Sequence, residues 1–211
     1  GTSGRIYESY IQPDSGQVLF RLFEGQPDLL NVTVGAWLDY LFVGNGEGLL
    51  GLRPGEELKP ILRNFDVARV IPVDDDLCYV IGTQEITALR LENGLWVESV
   101  SRVPGIGFPS VVHLIDRSVW IELGLNRVGR VSCDGETVRT EVYDDFPWND
   151  PAWVNIGSIG SVAVLSGRGG HRVYFDESEG GFCESSELDR LLALCPFDVW
   201  RMVRDSDGII W

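Results

Sequence analysis

Asp205-Ser-Asp-Gly-Ile-Ile-Trp211 closes the chain and Gly1-Thr-Ser-Gly4 opens it. Written tail to head, they spell D-S-D-G-I-I-W-G-T-S-G: a polar turn, an apolar strand with an aromatic, then Gly-Thr. The same junction stands unbroken at Tyr79-Val-Ile-Gly-Thr83 and, more loosely, at Leu41-Phe-Val-Gly-Asn45. The chain is therefore expected to start and stop at equivalent points of a repeating unit, with its two ends as neighbours.

Turn signals recur on either side of that junction with one beat. Asp14-Ser-Gly16, Pro54-Gly55, Asn93-Gly94, Asp134-Gly135 and Glu179-Gly-Gly181 each separate two strand-like runs. The successive spacings along Gly16, Gly55, Gly94, Gly135 and Gly181 are 39, 39, 41 and 46 residues. Asn-Gly and Asp-Gly between apolar runs signal a hairpin, because the turn needs residues that tolerate positive φ. Between these outer hairpins lie five further apolar pairs: Asn31–Val34 with Tyr40–Val43, Ala68–Val73 with Cys78–Ile81, Ser110–Ile115 with Val119–Ile121, Val154–Ile159 with Val162–Leu165, and Trp200–Val203 with Ile209–Trp211. Runs such as Val-Ile-Pro-Val are nearly continuous in apolar residues, as strands covered on both faces are. Only Ser186–Leu194 reads as helix, of one or two turns, or else as a last outer strand.

Two hairpins per period of about 42 residues predict an all-β protein: a β-propeller of five four-stranded blades. Blade 1 is split between residues 199–211 and 1–28, and pairing of its two parts closes the ring. Blades 2 to 5 cover residues 29–66, 67–107, 108–152 and 153–198. Closure removes exposed strand edges. The alternatives are a β-sandwich, an open β array, or a piece of a larger propeller.

The segment Val199-Trp-Arg-Met-Val-Arg-Asp-Ser-Asp-Gly-Ile-Ile-Trp211, continued by Gly1-Thr2, resembles the repeat of two-component regulator propellers. In that family an apolar strand leads to a D-x-x-G turn and then to an apolar-Trp-apolar-Gly-Thr strand. Gly82-Thr83 and Trp120 echo that strand in other repeats. The resemblance implies an extracytoplasmic (periplasmic or secreted) sensor module of a bacterial signalling protein, recognising a carbohydrate-derived ligand. Members of the family carry more than five blades in tandem.

Composition narrows the partners. The 211 residues carry a net charge of −15. An anionic surface repels phosphate backbones and acidic membranes, so nucleic acid is excluded as a partner. No apolar run approaches the roughly 18 residues of a membrane span, so no membrane insertion is expected of this segment. Gly1 opens directly into polar sequence, and no signal peptide is read. Lys59 is the sole lysine. The four cysteines show no C-x-x-C spacing, so neither metal nor cofactor is expected. Cys78 and Cys133 read as small buried hydrophobes, and Cys183 with Cys195 as a pair that would bridge in an oxidising compartment.

In a propeller the first strand of each blade lines the central channel. Its first residues here are Asn31, Arg69, Ser110, Asn155 and Arg201. Two guanidinium forks and two amides suit carboxylate, sulfate or sugar hydroxyls, or else fill the channel with water. The loop Tyr143–Trp153 adds Trp148 and Trp153, which either stack on a sugar ring or plug the gap between blades. No Asp or Glu stands at these strand starts, which argues against a glycosidase built on paired acids. His113 reads as a satisfied strand histidine before it reads as a proton carrier. Asp205-Ser-Asp-Gly208 is a turn without the later ligands of a calcium loop. Ser166-Gly-Arg-Gly-Gly170 lacks the Lys-Ser/Thr ending of a phosphate loop. Asn31-Val-Thr33 matches a glycosylation sequon.

The reading is thus a non-catalytic propeller binding a small molecule, such as an oligosaccharide, or a protein. Its alternatives are a carbohydrate-active enzyme and a structural module whose open edges pair with another copy as a homo-oligomer.

Overall fold

The computed structural model of the chain describes residues 3–4, 7–12, 18–22, 29–30, 33–98, 101–107, 111–135, 137–146, 154–167, 171–186 and 190. They fall into two units, Gly1–Ser99 and Val100–Trp211. The expected junction of residues 199–211 with Gly1-Thr2 lies outside the described residues.

The fold is all-β. In the first unit β1 (Ser3–Gly4) pairs β4 (Leu29–Leu30), and β2 (Tyr7–Ile11) pairs β3 (Val18–Leu22) across the Asp14-Ser-Gly16 segment. β5 (Thr33–Trp37), β6 (Tyr40–Gly44), β7 (Gly48–Leu52) and β8 (Lys59–Arg63) then form an antiparallel sheet in sequence order. β9 (Val67–Pro72), β10 (Leu77–Gly82), β11 (Glu85–Glu92) and β12 (Leu95–Glu98) form the next. After the two-residue strand β13 (Val103–Pro104), the second unit repeats the pattern twice. One sheet orders β14 (Val111–Ile115), β15 (Ser118–Gly124), β16 (Arg127–Asp134) and β17 (Thr137–Tyr143). The other orders β18 (Asn155–Ile159), β19 (Val162–Ser166), β20 (Arg172–Asp176) and β21 (Gly181–Cys183). Four antiparallel sheets, each built on four strands consecutive in sequence, thus follow one another. Ser186 and Arg190, in the stretch read as helix, are helical.

The hairpin turns follow from local chemistry. Asn93 and Gly94 both take positive φ, 51° and 76°, as a tight two-residue turn requires. Gly55, Gly135 and Gly180 do so at the equivalent turns, at 80°, 61° and 65°. The turns between the first two strands of three sheets place Leu38, Asp116 and Gly160 at 53°, 53° and 63°. Leu38 is the unexpected one, since a Cβ disfavours this region.

Each unit holds a core between its two larger sheets. In the first, Tyr40, Phe42, Leu49 and Leu62 meet Cys78, Val80, Leu89 and Trp96. The Phe42 and Trp96 rings meet edge to face at 5.7 Å. On the other face of β10 and β11, Leu77, Tyr79, Ile81 and Ile86 are also buried, so β10 is covered along its whole length. In the second unit Trp120, Val128, Ile156, Leu165 and Val173 pack together, with Trp120, Tyr143, Phe175 and Phe182 forming a ring cluster. Burial of each such ring or branched chain contributes about 1.5–3 kcal/mol.

Arg130 fastens this second core from its rim. Its guanidinium lies 4.7 Å from the Phe175 ring and 5.4 Å from the Trp120 ring. It donates to Ser118 Oγ at 3.2 Å and to Glu177, across the two sheets. Only 14% of the side chain is exposed. Burial pushes the neighbouring Tyr143 hydroxyl up to about 12, helped by its hydrogen bond to Glu141. Cys78 is fully buried, and burial pushes its thiol up to about 12. Cys133 differs from expectation. It is half-buried, because it lies next to the end of its strand, beside the Asp134-Gly135 turn, where its Sγ–H donates to the Gly135 carbonyl. Cys183 is half-buried, and Cys195 lies outside the described residues.

Candidate functional site

Of the residues that the sequence nominates, Arg69 and Asn155 are described. Asn31, Ser110, Arg201, Trp148 and Trp153 lie outside the described residues. Arg69 belongs to the first unit and Asn155 to the second.

Arg69 is the third residue of β9 and pairs with Ile81. Its side chain is exposed. Nη1 donates to the carbonyl of Ala68 at 2.9 Å. That carbonyl also accepts the Thr33 hydroxyl of β5 at 3.1 Å, so the two first strands of this unit are tied side by side. Among the described residues this is the single hydrogen bond of a side chain with five N–H donors.

The same end of the sheets carries a hollow of about 220 Å³ lined by Gly46, Asn64, Phe65, Asp66, Gln84 and Glu85. Its walls are fixed locally. Asn45 Oδ1 accepts the amides of Glu47 and Gly48 at 2.9 and 3.0 Å. The Asn64 amide donates to Glu47 at 2.8 Å, and Thr83 Oγ1 donates to Asp66 Oδ2 at 2.6 Å. Gly82 is required here, because a Cβ would stand 2.7 Å from the Asp66 carbonyl and 2.8 Å from the Phe65 ring.

In the second unit Asn155 opens β18, half-buried, opposite the buried Ser166. The amide of the next residue, Ile156, donates to Glu122 Oε1 at 3.3 Å. Among the described residues β18 pairs β19 alone, and this amide is held by a side chain from another sheet. Glu122 is 9% exposed. His113 Nε2 lies 3.5 Å from the same oxygen, without the alignment of a hydrogen bond. Arg172, paired with Ser166, adds a buried Nε with no partner among the described residues.

Sequence reasoning missed Glu122. The first strands indeed start without an acid, but the second strand of this sheet supplies one. Counted from the residue that closes each inner turn, Gly44, Ile81, Glu122 and Ser166 occupy one position in the four second strands. The fold therefore does not demand a carboxylate there. A register shift immediately after Glu122, ending at Gly124 with φ of 121°, bends the strand at that point. The available signal was a lone acid inside Ser118–Gly124, a run that is otherwise buried over its first half.

His113 Nε2 is buried without a hydrogen-bond partner among the described residues, so at that nitrogen it is not the satisfied strand histidine that was expected. Among the described residues a carboxylate, Glu122, lies within 4 Å of it. Among the described residues no group of three His, Cys, Asp or Glu side chains is placed to hold a metal ion. No described helix is long and apolar enough to cross a membrane. In comparison with known proteins, the chain matches no family model and no curated protein.

Proposed function

We propose that this chain is a non-catalytic, ligand-binding β-propeller of five four-stranded blades. The fifth blade is made by residues 199–211 with residues 1–28. The ligand sits where the first strands begin, at Arg69 and Asn155 together with Asn31, Ser110 and Arg201, and Trp148 and Trp153 stack on it. We take the ligand to be small and carbohydrate-derived, and the module to be the extracytoplasmic sensor of a bacterial signalling protein. The observation that carries this reading is the succession of four meander sheets at one period, with Arg69 and Asn155 both near the start of a first strand. An exposed guanidinium with one described hydrogen bond retains donors for hydroxyl or carboxylate groups.

A thermal-shift screen against neutral and acidic oligosaccharides tests it. A saturable rise in melting temperature, lost in Arg69→Ala and Asn155→Ala, is the expected result. A flat screen across all glycans rejects the sugar sensor in favour of a scaffold.

One observation favours a second reading, a carbohydrate-active enzyme. Glu122 is a buried carboxylate beside His113, at the end of the unit where Asn155 lies. Glycosidases of the usual kind use two carboxylates, and this end offers one among the described residues. Glycan turnover abolished by Glu122→Gln would establish the enzyme; binding without turnover leaves the sensor.

A further inference from the structure

The sheet β18–β21 carries a row of polar side chains at the end where its first strand begins. Asn155 opens β18 and pairs Ser166, the last residue of β19; Ser166 in turn pairs Arg172, the first residue of β20. Residues directly opposite one another in an antiparallel sheet project on the same face. The three side chains therefore stand side by side over two strand spacings, about 10 Å. The next row, Ile156, Leu165 and Val173, is buried in the core of the second unit. Alternation puts Asn155, Ser166 and Arg172 on the opposite face, away from that core.

Arg172 does not read as a structural residue in this row. It is half-buried, and its Nε is buried with no hydrogen-bond partner among the described residues. Arg53 is held on Asp39, Arg130 on Glu177 and Arg139 on Asp134, whereas Arg172 forms no such pair among the described residues. Drawing a guanidinium towards the interior without a counter-charge is unfavourable. Carboxylates are not scarce, since the chain has 32 acidic residues. Yet the neighbours of Arg172 in the row are a hydroxyl and an amide. Ser166, 9% exposed, spaces the guanidinium from the half-buried Asn155. The start of β18 is fixed in place, because the amide of Ile156 donates to Glu122 Oε1 at 3.3 Å.

An unneutralised guanidinium beside neutral hydrogen-bonding groups is the arrangement by which a site leaves the counter-charge to its ligand. We infer that Arg172 binds the carboxylate of an acidic sugar whose ring hydroxyls meet Asn155. The inference rests on the carbohydrate-binding reading above and narrows it to a uronic acid. The guanidinium matches a carboxylate with two parallel N–H···O bonds, and the Asn155 amide offers both a donor and an acceptor to hydroxyls. A neutral sugar would leave the cation unpaired, and a bare carboxylate would leave the amide unused, so the site discriminates against both.

The test is calorimetric titration with D-glucuronate, run beside D-glucuronamide, D-glucose and acetate. Saturable binding of glucuronate is expected, about tenfold or more tighter than that of the other three. Arg172→Met should weaken it about tenfold or more, and Asn155→Ala by a smaller factor. Glucuronamide or glucose bound as tightly as glucuronate overturns the inference and leaves the neutral-sugar reading standing. Acetate bound as tightly overturns it too, because the site would then take any carboxylate. Absence of saturable binding at millimolar glucuronate also overturns it; the broader reading is judged separately, by the response of the protein to neutral oligosaccharides. Melting of the ligand-free protein separates binding from support of the fold. Arg172→Met keeps an unbranched apolar chain and removes the unpaired charge, so a melting temperature about 2–4 °C higher is expected. A fall of that size would mean that the guanidinium serves the fold, and would overturn the inference.

Discussion

Replacing Glu122 by alanine tests whether one buried carboxylate fastens the two sheets of the second unit. The Ile156 amide is in a residue 1% exposed, and it donates to Glu122 Oε1 at 3.3 Å. Removing the acceptor leaves a buried donor unpaired, which costs about 1–3 kcal/mol. Loss of one buried methylene adds roughly 0.8 kcal/mol. Relief of the desolvated charge offsets part of this, since a buried ion is itself costly by several kcal/mol unless well paired. A net loss of about 2 kcal/mol is expected for Glu122→Ala. Glu122→Gln keeps the shape and an acceptor oxygen and loses only charge assistance, so about 1 kcal/mol is expected. Two measurements separate the parts. Urea unfolding followed by tryptophan fluorescence reads the total. Hydrogen exchange at Ile156 reads the local bond, and about 2 kcal/mol corresponds to roughly thirtyfold faster exchange in the alanine variant. Unchanged exchange at Ile156, or a glutamine variant as damaged as the alanine one, would refute the reasoning.

Four further outcomes are expected. Leu38→Asn, which relieves an apolar residue held at φ of 53°, should raise stability by about 1 kcal/mol in urea unfolding. Arg130→Lys, which loses the fork between Ser118 and Glu177 and the contact with Phe175, should cost about 2 kcal/mol by the same assay. Tyr143 should stay un-ionised while ordinary tyrosines titrate near 10: its folded value is raised, so its contribution to stability is complete below about 10 and is lost as pH rises towards about 12, which difference absorbance at 295 nm against Tyr143→Phe reads. Cys78 should resist iodoacetamide at pH 8 under native conditions while Cys133 and Cys183 are alkylated, as peptide mass mapping will show.

The repeat was legible because its turns need unusual backbone. Asn93-Gly94 and Asp134-Gly135 announce positive φ in their residue types, and the strands on either side follow at β-branched runs. Leu38-Asp39 announces nothing. Its turn is held by the pairing of Trp37 with Tyr40 and by the Trp37 indole N–H on the Asp74 carbonyl at 3.0 Å, contacts 3 and 37 residues apart in sequence. For the same reason the first strand of that sheet is Thr33–Trp37 where the sequence suggested Asn31–Val34.

At the site, Arg69 and Asn155 were legible as polar residues near strand starts. Glu122 was not, because period-two alternation says only that it shares a face with Trp120. That this face brings the carboxylate to the edge amide of a strand 34 residues away is decided by sheet packing.

The most direct test of ligand binding at the first-strand starts is a nuclear magnetic resonance titration with an oligosaccharide that raises the melting temperature, following the Arg69 Nε–H and Asn155 Nδ2 side-chain signals. Saturable shifts in both, with one dissociation constant matching the thermal data, are the result that the account predicts. Binding that leaves both signals unmoved would contradict it.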